Sequence, residues 1–243
     1  MAHDDPLWSA VDWGKYAEVQ SLVERGADVN MVDEGGKTLL HLAVYCECIE
    51  MVELLIQRGI DVNPNTNYHI TPLELAARWS WLDGANVLIL SGAKLDSEIP
   101  GGRSPLEVAI VGPQTPDYIP DPARQLEMVL LLIHYGANVF ARQEDGETLL
   151  MCAAEHGNAG VVLALIAAGV DPEATDDDGD TAMFYAEMGE HTHIETILSD
   201  EIHRRDASVA FAMGNLSRPG EKSIVNLLDP DVVAMILKRY LET

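Results

Sequence analysis

A phrase of similar sequence returns along this chain at an almost fixed interval. It reads TLLHLA, TPLELA, SPLEVA, TLLMCA and TAMFYA, and the five copies open at Thr38, Thr71, Ser104, Thr148 and Thr181. Their separations are 33, 33, 44 and 33 residues. A series of glycines has the same spacing: Gly26, Gly59, Gly92, Gly136 and Gly169. Because a fixed period of this length is typical of repeat architectures, we expect one supersecondary unit per period.

A sixth copy precedes the other five. Going back 33 residues from Thr38 reaches Asp5, where DPLWSA fits the same frame. One alanine then takes the same place in every copy: Ala10, Ala43, Ala76, Ala109, Ala153 and Ala186. We therefore predict six repeats over residues 1–200 and a separate C-terminal segment over residues 201–243.

Each period contains the signals of two short helices and a turn. Thr71 before a Pro-Leu pair is typical of a helix N-cap with proline in the first turn. Leu40 and Ala43 share one helix face, where a small side chain lets a neighbouring helix approach. The second helix, such as residues 50–57, precedes a glycine that can take the left-handed conformation. One helix pair cannot bury its own apolar face, so the pairs must stack into a solenoid.

These copies resemble the ankyrin repeat, whose signature is T-P-L-H-x-A at a period of about 33 residues. The resemblance is carried by GKTLLHLA, TPLELA, RGADVN, RGIDVN and AAEHGNAGVV, at residues 36–43, 71–76, 25–30, 58–63 and 153–162. It implies an all-α solenoid of helix-turn-helix units with short projecting turns. It also implies that His41 hydrogen-bonds the backbone of the neighbouring turn.

The interval of 44 residues contains an insertion in the fourth repeat, at residues 113–124. Its sequence, PQTPDYIPDPAR, has four prolines, which disfavour a helix and favour an extended loop. Insertions in repeat arrays form surface loops, often on a binding face, so Tyr118 is a candidate contact. An inert insertion explains the same sequence. Trp79 and Trp81 are close to this edge of the array, either as binding anchors or packed beneath the loop.

The C-terminal part departs from the pattern. Ile202 stands where the sixth helix-ending glycine belongs, so we expect the second helix to continue through Arg205 toward Gly214. A further helix is predicted over residues 229–240, with one apolar stripe formed by Val232, Val233, Ile236, Leu237 and Tyr240. We interpret it as a cap of the open end of the solenoid. Alternatively, LLDPDVVAMILKRYL resembles an F-box-type segment, which in that family recruits ubiquitin-ligase machinery.

The charge of the chain restricts its partners. It has 15 Lys+Arg against 40 Asp+Glu, a formal net charge of −25. Nucleic acid and anionic membrane surfaces are therefore disfavoured, and a basic protein surface is favoured. Residues 143–203 contain 15 acidic residues and neither lysine nor arginine. Solubility alone explains the same composition.

Motifs that carry chemistry in other proteins are incomplete here. GGKT at residues 35–38 lacks the earlier glycine of a phosphate-binding loop, where Met31 stands. The acidic run at residues 176–187 has Thr181 where a calcium loop requires glycine. Two short pairs lack the further ligands of a zinc site: Cys46 with Cys48, and His191 with His193. We therefore expect no enzyme activity, no metal and no cofactor.

Three cysteines, no basic and apolar leader, and no long apolar run favour the cytoplasm or nucleus. The capped ends of the array favour a monomer. The family resemblance implies an adaptor, scaffold or inhibitor that binds a protein on the concave face. The alternatives are a ubiquitin-ligase substrate receptor or an antitoxin-like bacterial inhibitor. The candidate partner-binding residues are Asp33, Glu34, Tyr45, Asn65, Tyr68, Arg78, Trp79, Trp81, Tyr118, Glu144, Glu155, Asp177 and Asp178.

Overall fold

The computed structural model describes residues 5–96, 103–113 and 121–212 of the chain. Within these ranges it has twelve α-helices and no extended strand. The helices are α1 Pro6–Asp12, α2 Tyr16–Glu24, α3 Leu39–Tyr45, α4 Ile49–Gln57, α5 Pro72–Arg78, α6 Leu82–Leu90, α7 Pro105–Val111, α8 Pro122–His134, α9 Leu149–Glu155, α10 Ala159–Ala167, α11 Ala182–Met188 and α12 Thr192–Ala212. The prediction of an all-α chain of helix pairs is confirmed.

The first helix of each pair begins directly after the residue that opens the repeated phrase. Thr71 shows why, because its hydroxyl accepts the Glu74 amide at 3.2 Å while the Glu74 carboxylate accepts the Thr71 amide at 3.2 Å. This reciprocal cap satisfies two amides that the helix leaves unpaired. Ser104 accepts the amide of Glu107 in the same way, at 3.1 Å. The predicted N-caps therefore set the register of the helices.

The alanine shared by the six copies lies in the core. Its exposure is between 0% and 2% in all six, namely Ala10, Ala43, Ala76, Ala109, Ala153 and Ala186. A larger side chain at this place would push neighbouring helices apart, because protein cores are closely packed. The periodic alanine is thus explained by helix packing.

The described helices fall into two compact units. In the first, α1 packs against α2 and α3, α3 against α5, and α5 against α7. In the second, α9 packs against α10 and α11, and α12 packs against both α10 and α11. Helix α8 contributes its first part to the second unit and its last turn to the first. Each unit therefore has its own layer of first helices and its own layer of second helices.

Helix α12 continues to Ala212, past Arg205, as predicted from the missing glycine. In the other repeats the second helix ends at a left-handed glycine, for example Gly169 with φ +96°. At the equivalent place in α12 stands Ile202, a side chain that strongly disfavours positive φ, so the helix has no stop signal there. The segment at 229–240, whether cap or ligase-recruiting element, lies outside the described residues. So does most of the proline-rich insertion.

Candidate protein-interaction surface

Short hairpins precede the first helices. Two of them follow one another in the first unit, at residues 33–37 and 66–70, and we call these the mixed hairpin pair. Two more follow one another in the second unit, at residues 143–147 and 176–180, and we call these the acidic hairpin pair. In each hairpin the amide of the first residue donates to the carbonyl of the fifth, at 2.9–3.1 Å. All four hairpins therefore close in the same way.

Three of the four hairpins are held by the side chain of their first residue. Asp33 Oδ1 accepts the amides of Gly35 and Lys37, both at 2.8 Å. Asp176 Oδ1 likewise accepts two amides from its own hairpin, at 3.0 and 2.9 Å. Thr66 does the same with its hydroxyl, at 3.3 and 3.1 Å. The predicted contact residue Asp33 thus has one carboxylate oxygen engaged in shaping its own turn.

Within each pair, a backbone hydrogen bond joins one hairpin to the next. The Asn67 amide donates to the Gly35 carbonyl at 2.8 Å, and the Asp177 amide donates to the Asp145 carbonyl at 3.0 Å. These two bonds occupy equivalent places, 110 residues apart in the chain. Neighbouring tips are therefore fixed against each other, and they form one continuous surface within each pair.

Side chains reinforce this link differently in the two pairs. In the mixed pair, the Asn67 side-chain amide donates to the Glu34 carbonyl at 2.9 Å. In the acidic pair, Arg142 reaches across and donates to the carbonyls of Gly146 at 2.7 Å and Thr175 at 2.8 Å. The guanidinium of Arg142 is thereby engaged by backbone carbonyls.

The tips of the acidic hairpin pair present carboxylates to solvent. Four of them are exposed: Glu144, Asp145, Asp177 and Asp178. Beneath them, the hydrogen bond from the Asp180 amide lowers the pKa of Asp176 most. The Tyr185 hydroxyl, which donates to Asp176 at 2.9 Å, and two further amides lower it in the same direction. The carboxylate of Asp176 therefore stays ionised. The acidic pair is a strongly negative surface on a fixed backbone.

The mixed hairpin pair has a different chemistry. Its exposed tip residues include Glu34, Asn67, His69 and Tyr68, whose side chain is 82% exposed. Tyr45, at the end of α3, is also exposed, at 67%. Aromatic side chains with a polar end suit protein interfaces.

The third residue of the first helix is a buried titratable side chain in three repeats, namely His41, Glu74 and Glu107. His41 Nδ1 accepts the Thr38 amide at 3.1 Å, and Nε2 donates to the Ile70 carbonyl of the next repeat at 3.0 Å. Burial lowers the pKa of His41, so its ring stays neutral. The expectation that His41 binds the neighbouring turn is confirmed.

Glu74 takes the equivalent place in the following repeat. Its side chain is buried, and burial raises its pKa to about 7, although the Thr71 amide and Arg78 oppose that shift. Burial also raises the pKa of Glu107, the next residue in this series. The first unit therefore contains a carboxyl group that titrates near neutral pH.

Most of the candidate residues lie at the surface. Eight are exposed and four are partly buried: the exposed ones are Glu34, Tyr45, Asn65, Tyr68, Glu144, Glu155, Asp177 and Asp178, and the others are Asp33, Arg78, Trp79 and Trp81. Tyr118 lies outside the described residues. A methyl group on Gly84 would overlap the ring of Trp81, which packs closely on that glycine. Binding by these residues stays a prediction, and for Trp81 the structure shows a packing contact.

The structure adds surface residues that the sequence did not select. Phe184 and Met188 on α11 are 42% and 68% exposed. The sequence contains a signal for Phe184, because this residue stands in the repeat position that holds His41 and Glu74 in other repeats.

Two other kinds of site are absent from the described residues. No three His, Cys, Asp or Glu side chains there are grouped to hold a metal ion. His191 and His193 instead pair with the carbonyls of Glu155 at 2.9 Å and Gly157 at 3.3 Å. No described helix is long and apolar enough to cross a membrane.

The family model for ankyrin repeats in three copies matches residues 5–99 and 122–206. The chain belongs to the ankyrin repeat family. Mouse ankyrin repeat domain-containing protein 63 is 38% identical over 92 residues, which cover 38% of this chain and 22% of that protein. Human protein phosphatase 1 regulatory subunit 27 is 46% identical over 55 residues, which cover 23% of this chain and 36% of that protein. The chain thus spans well under half the length of these two relatives.

A solved structure shows the same fold. It is a chain from the complex of a predatory endopeptidase from Bdellovibrio bacteriovorus with an immunity protein, with a TM-score of 0.68 and 23% identity. The match covers 81% of this chain and 97% of that chain. The prediction of an all-α ankyrin-repeat solenoid is therefore confirmed, and the family supports a role as a protein-interaction module.

Proposed function

We propose that this ankyrin-repeat chain is a non-catalytic adaptor, scaffold or inhibitor that binds a protein with a basic surface. The acidic hairpin pair carries the proposal, because its four exposed carboxylates are held side by side on a hydrogen-bonded backbone. A preorganised site loses less entropy on binding than a mobile one. Glu155, at the end of α9, adds a further exposed carboxylate to the second unit.

Electrostatics favours a basic partner over a neutral one. Opposite charges steer association and select against partners of the same sign, and dissolved salt screens both effects at exposed sites. A relative named as a phosphatase regulatory subunit is consistent with a regulatory role. The proposal includes a monomer in the cytoplasm or nucleus, which stays a prediction.

The test uses two variants with the same net charge. The first, E144Q/D145N/D177N/D178N, neutralises the acidic hairpin pair. The second, E24Q/E50Q/E53Q/D83N, neutralises four exposed carboxylates on second helices of the first unit. Basic proteins retained by the wild-type chain from a lysate of the source cells would be purified and titrated by calorimetry against all three chains.

We expect the hairpin variant to bind at least tenfold more weakly, and the second-helix variant to bind within about twofold of wild type, since only the first removes contacts. Wild-type affinity should fall as salt rises from about 0.05 to 0.3 M. Equal losses in the two variants would mean that net charge alone attracts the partner. Binding that is insensitive to salt and to both variants would refute the proposed site.

A further inference from the structure

The sixth repeat leaves open a surface that the other repeats bury. The third residue of the first helix is at most 7% exposed in five repeats: Trp8, His41, Glu74, Glu107 and Met151. In the sixth repeat this place belongs to Phe184, which is 42% exposed. An aromatic side chain is thus partly exposed to solvent at a position that is buried in the other five repeats.

The direction of this side chain follows from the second repeat. There His41 donates to the Ile70 carbonyl, which belongs to the following repeat. The third helical residue therefore faces the next unit of the stack. No repeat follows α12 among the described residues, so none of them covers Phe184 in this way.

The same face continues with carboxylates. Glu187, three residues after Phe184, is exposed, whereas the equivalent Ala154 is fully buried. On α12, Glu195 is partly exposed, whereas the equivalent Val162 is fully buried. Ile202 lies seven residues further along the same stripe of α12 and is also partly exposed. We call Phe184, Glu187, Glu195 and Ile202 the open face of the sixth repeat.

We propose that residues 229–240 of this chain form a helix that packs on the open face, with their apolar stripe against Phe184. The stripe of Val232, Val233, Ile236, Leu237 and Tyr240 offers an apolar surface that a lone helix cannot bury. Terminal units of a solenoid must shield the end of its core.

Charge favours one orientation of this occupant, because Asp229 and Asp231 lie at its start and Lys238 and Arg239 lie near its end. Arg239 follows the stripe residue Ile236 at a spacing of three, which puts it at the edge of the stripe. Glu187 and Glu195 are the carboxylates that a basic edge meets on the open face. A partner with an acidic edge would be repelled from this face.

The chain is long enough to make the contact. From Glu195 to the end of α12 at Ala212, the helix rises about 26 Å, at 1.5 Å per residue. The 16 residues from 213 to 228 can span up to about 53 Å when extended. The segment therefore reaches the open face with length to spare. This contact does not depend on the proposed function.

Hydrogen exchange of the full chain tests the proposal, with four variants: Phe184→Asp, Ile236→Asp, the double variant and Leu90→Asp. Leu90, an exposed residue of α6 at 68%, is the control for adding a charge at an exposed apolar site. In the wild type, we expect amides of residues 229–240 to be protected. Each single variant should speed their exchange at least tenfold, the double variant no more than either single one, and the Leu90 variant not at all. Circular dichroism would confirm that the repeats stay folded.

Three results would overturn the proposal. Unprotected amides at 229–240 in the wild type would show that no helix is docked. Protection that survives Phe184→Asp would place the segment on another surface. Protection that appears only as protein concentration rises would mean that a second copy of the chain occupies the face.

Discussion

The mixed and the acidic hairpin pairs have the same backbone and a different surface. Both close each turn with one amide-to-carbonyl bond, and both join neighbouring tips with a second, between Asn67 and Gly35 or between Asp177 and Asp145. The tips of one pair include Asn67 and Tyr68, whereas the equivalent residues of the other are both aspartates. The repeat frame thus determines geometry, and a few tip residues determine what each pair can bind.

The largest expected effect concerns Glu74, whose place in the second unit belongs to the uncharged Met151. Because burial raises the pKa of Glu74 to about 7 from 4.5, the folded state holds this proton more tightly than the unfolded state. The contribution of Glu74 to the free energy of unfolding should therefore be largest below pH 4.5 and should fall as pH rises through about 7. Glu107 contributes in the same direction.

Urea denaturation between pH 4.5 and 8 checks this. Glu74→Gln keeps a capping side chain and should remove up to about 3 kcal/mol of that dependence. Met151→Leu should leave the pH profile unchanged. A wild-type profile parallel to that of the Glu74 variant would contradict the pKa shift.

The second prediction concerns Gly36 and Gly146, which lie next to the backbone hydrogen bonds that join neighbouring hairpins. Both have positive φ, at +76° and +80°, and an added Cβ would approach Asn67 or Asp177 within 3.0 Å. Valine at either place should cost about 2 kcal/mol or more, from backbone strain and lost contact together. Gly179 has φ +90° with nothing within 4 Å of an added Cβ, so Gly179→Val measures the strain alone. If all three substitutions lower the free energy of unfolding equally, close contact with the neighbouring hairpin contributes nothing to the loss at Gly36 and Gly146.

The third prediction compares the side chains that reinforce the links. Arg142→Ala and Asn67→Ala should each lower the free energy of unfolding by about 1 kcal/mol, the usual contribution of such hydrogen bonds. Arg142→Ala should also bring faster amide exchange at Asp177. Unchanged exchange there would show that the backbone bond alone holds the acidic tips.

The smallest effect concerns the turn between the two helices of a repeat. Glu47 has φ +50° where the first and fifth repeats have Gly14 and Gly157. Glu47→Gly should therefore stabilise the chain by up to about 1 kcal/mol. Glu50→Gly, within the first turn of α4, should destabilise it by a similar amount. Thermal denaturation distinguishes the two, and a lower Tm for the Glu47 variant would contradict the strain.

The repeat frame could be predicted from sequence because it depends on local chemistry. Thr71 caps its helix, Gly169 ends one, and the periodic alanines fit between helices wherever the frame puts them. The candidate surface was harder to predict, since side chains at equivalent places meet different neighbours. Phe184 is 42% exposed although its equivalents in the other five repeats are buried, and the raised pKa of Glu74 comes from burial. Both depend on three-dimensional contacts that spacing does not encode.

The most direct test of the acidic hairpin pair exchanges its tip residues with those of the mixed pair. The variant N67D/Y68D/D177N/D178Y has the wild-type composition and the same net charge of −25. Its affinity for the basic partner would be measured by calorimetry at low salt. We predict binding at least tenfold weaker than wild type, because two of the four exposed carboxylates leave the site while the total charge stays constant. Unchanged affinity would contradict the account, since only the overall charge of the chain would then attract the partner.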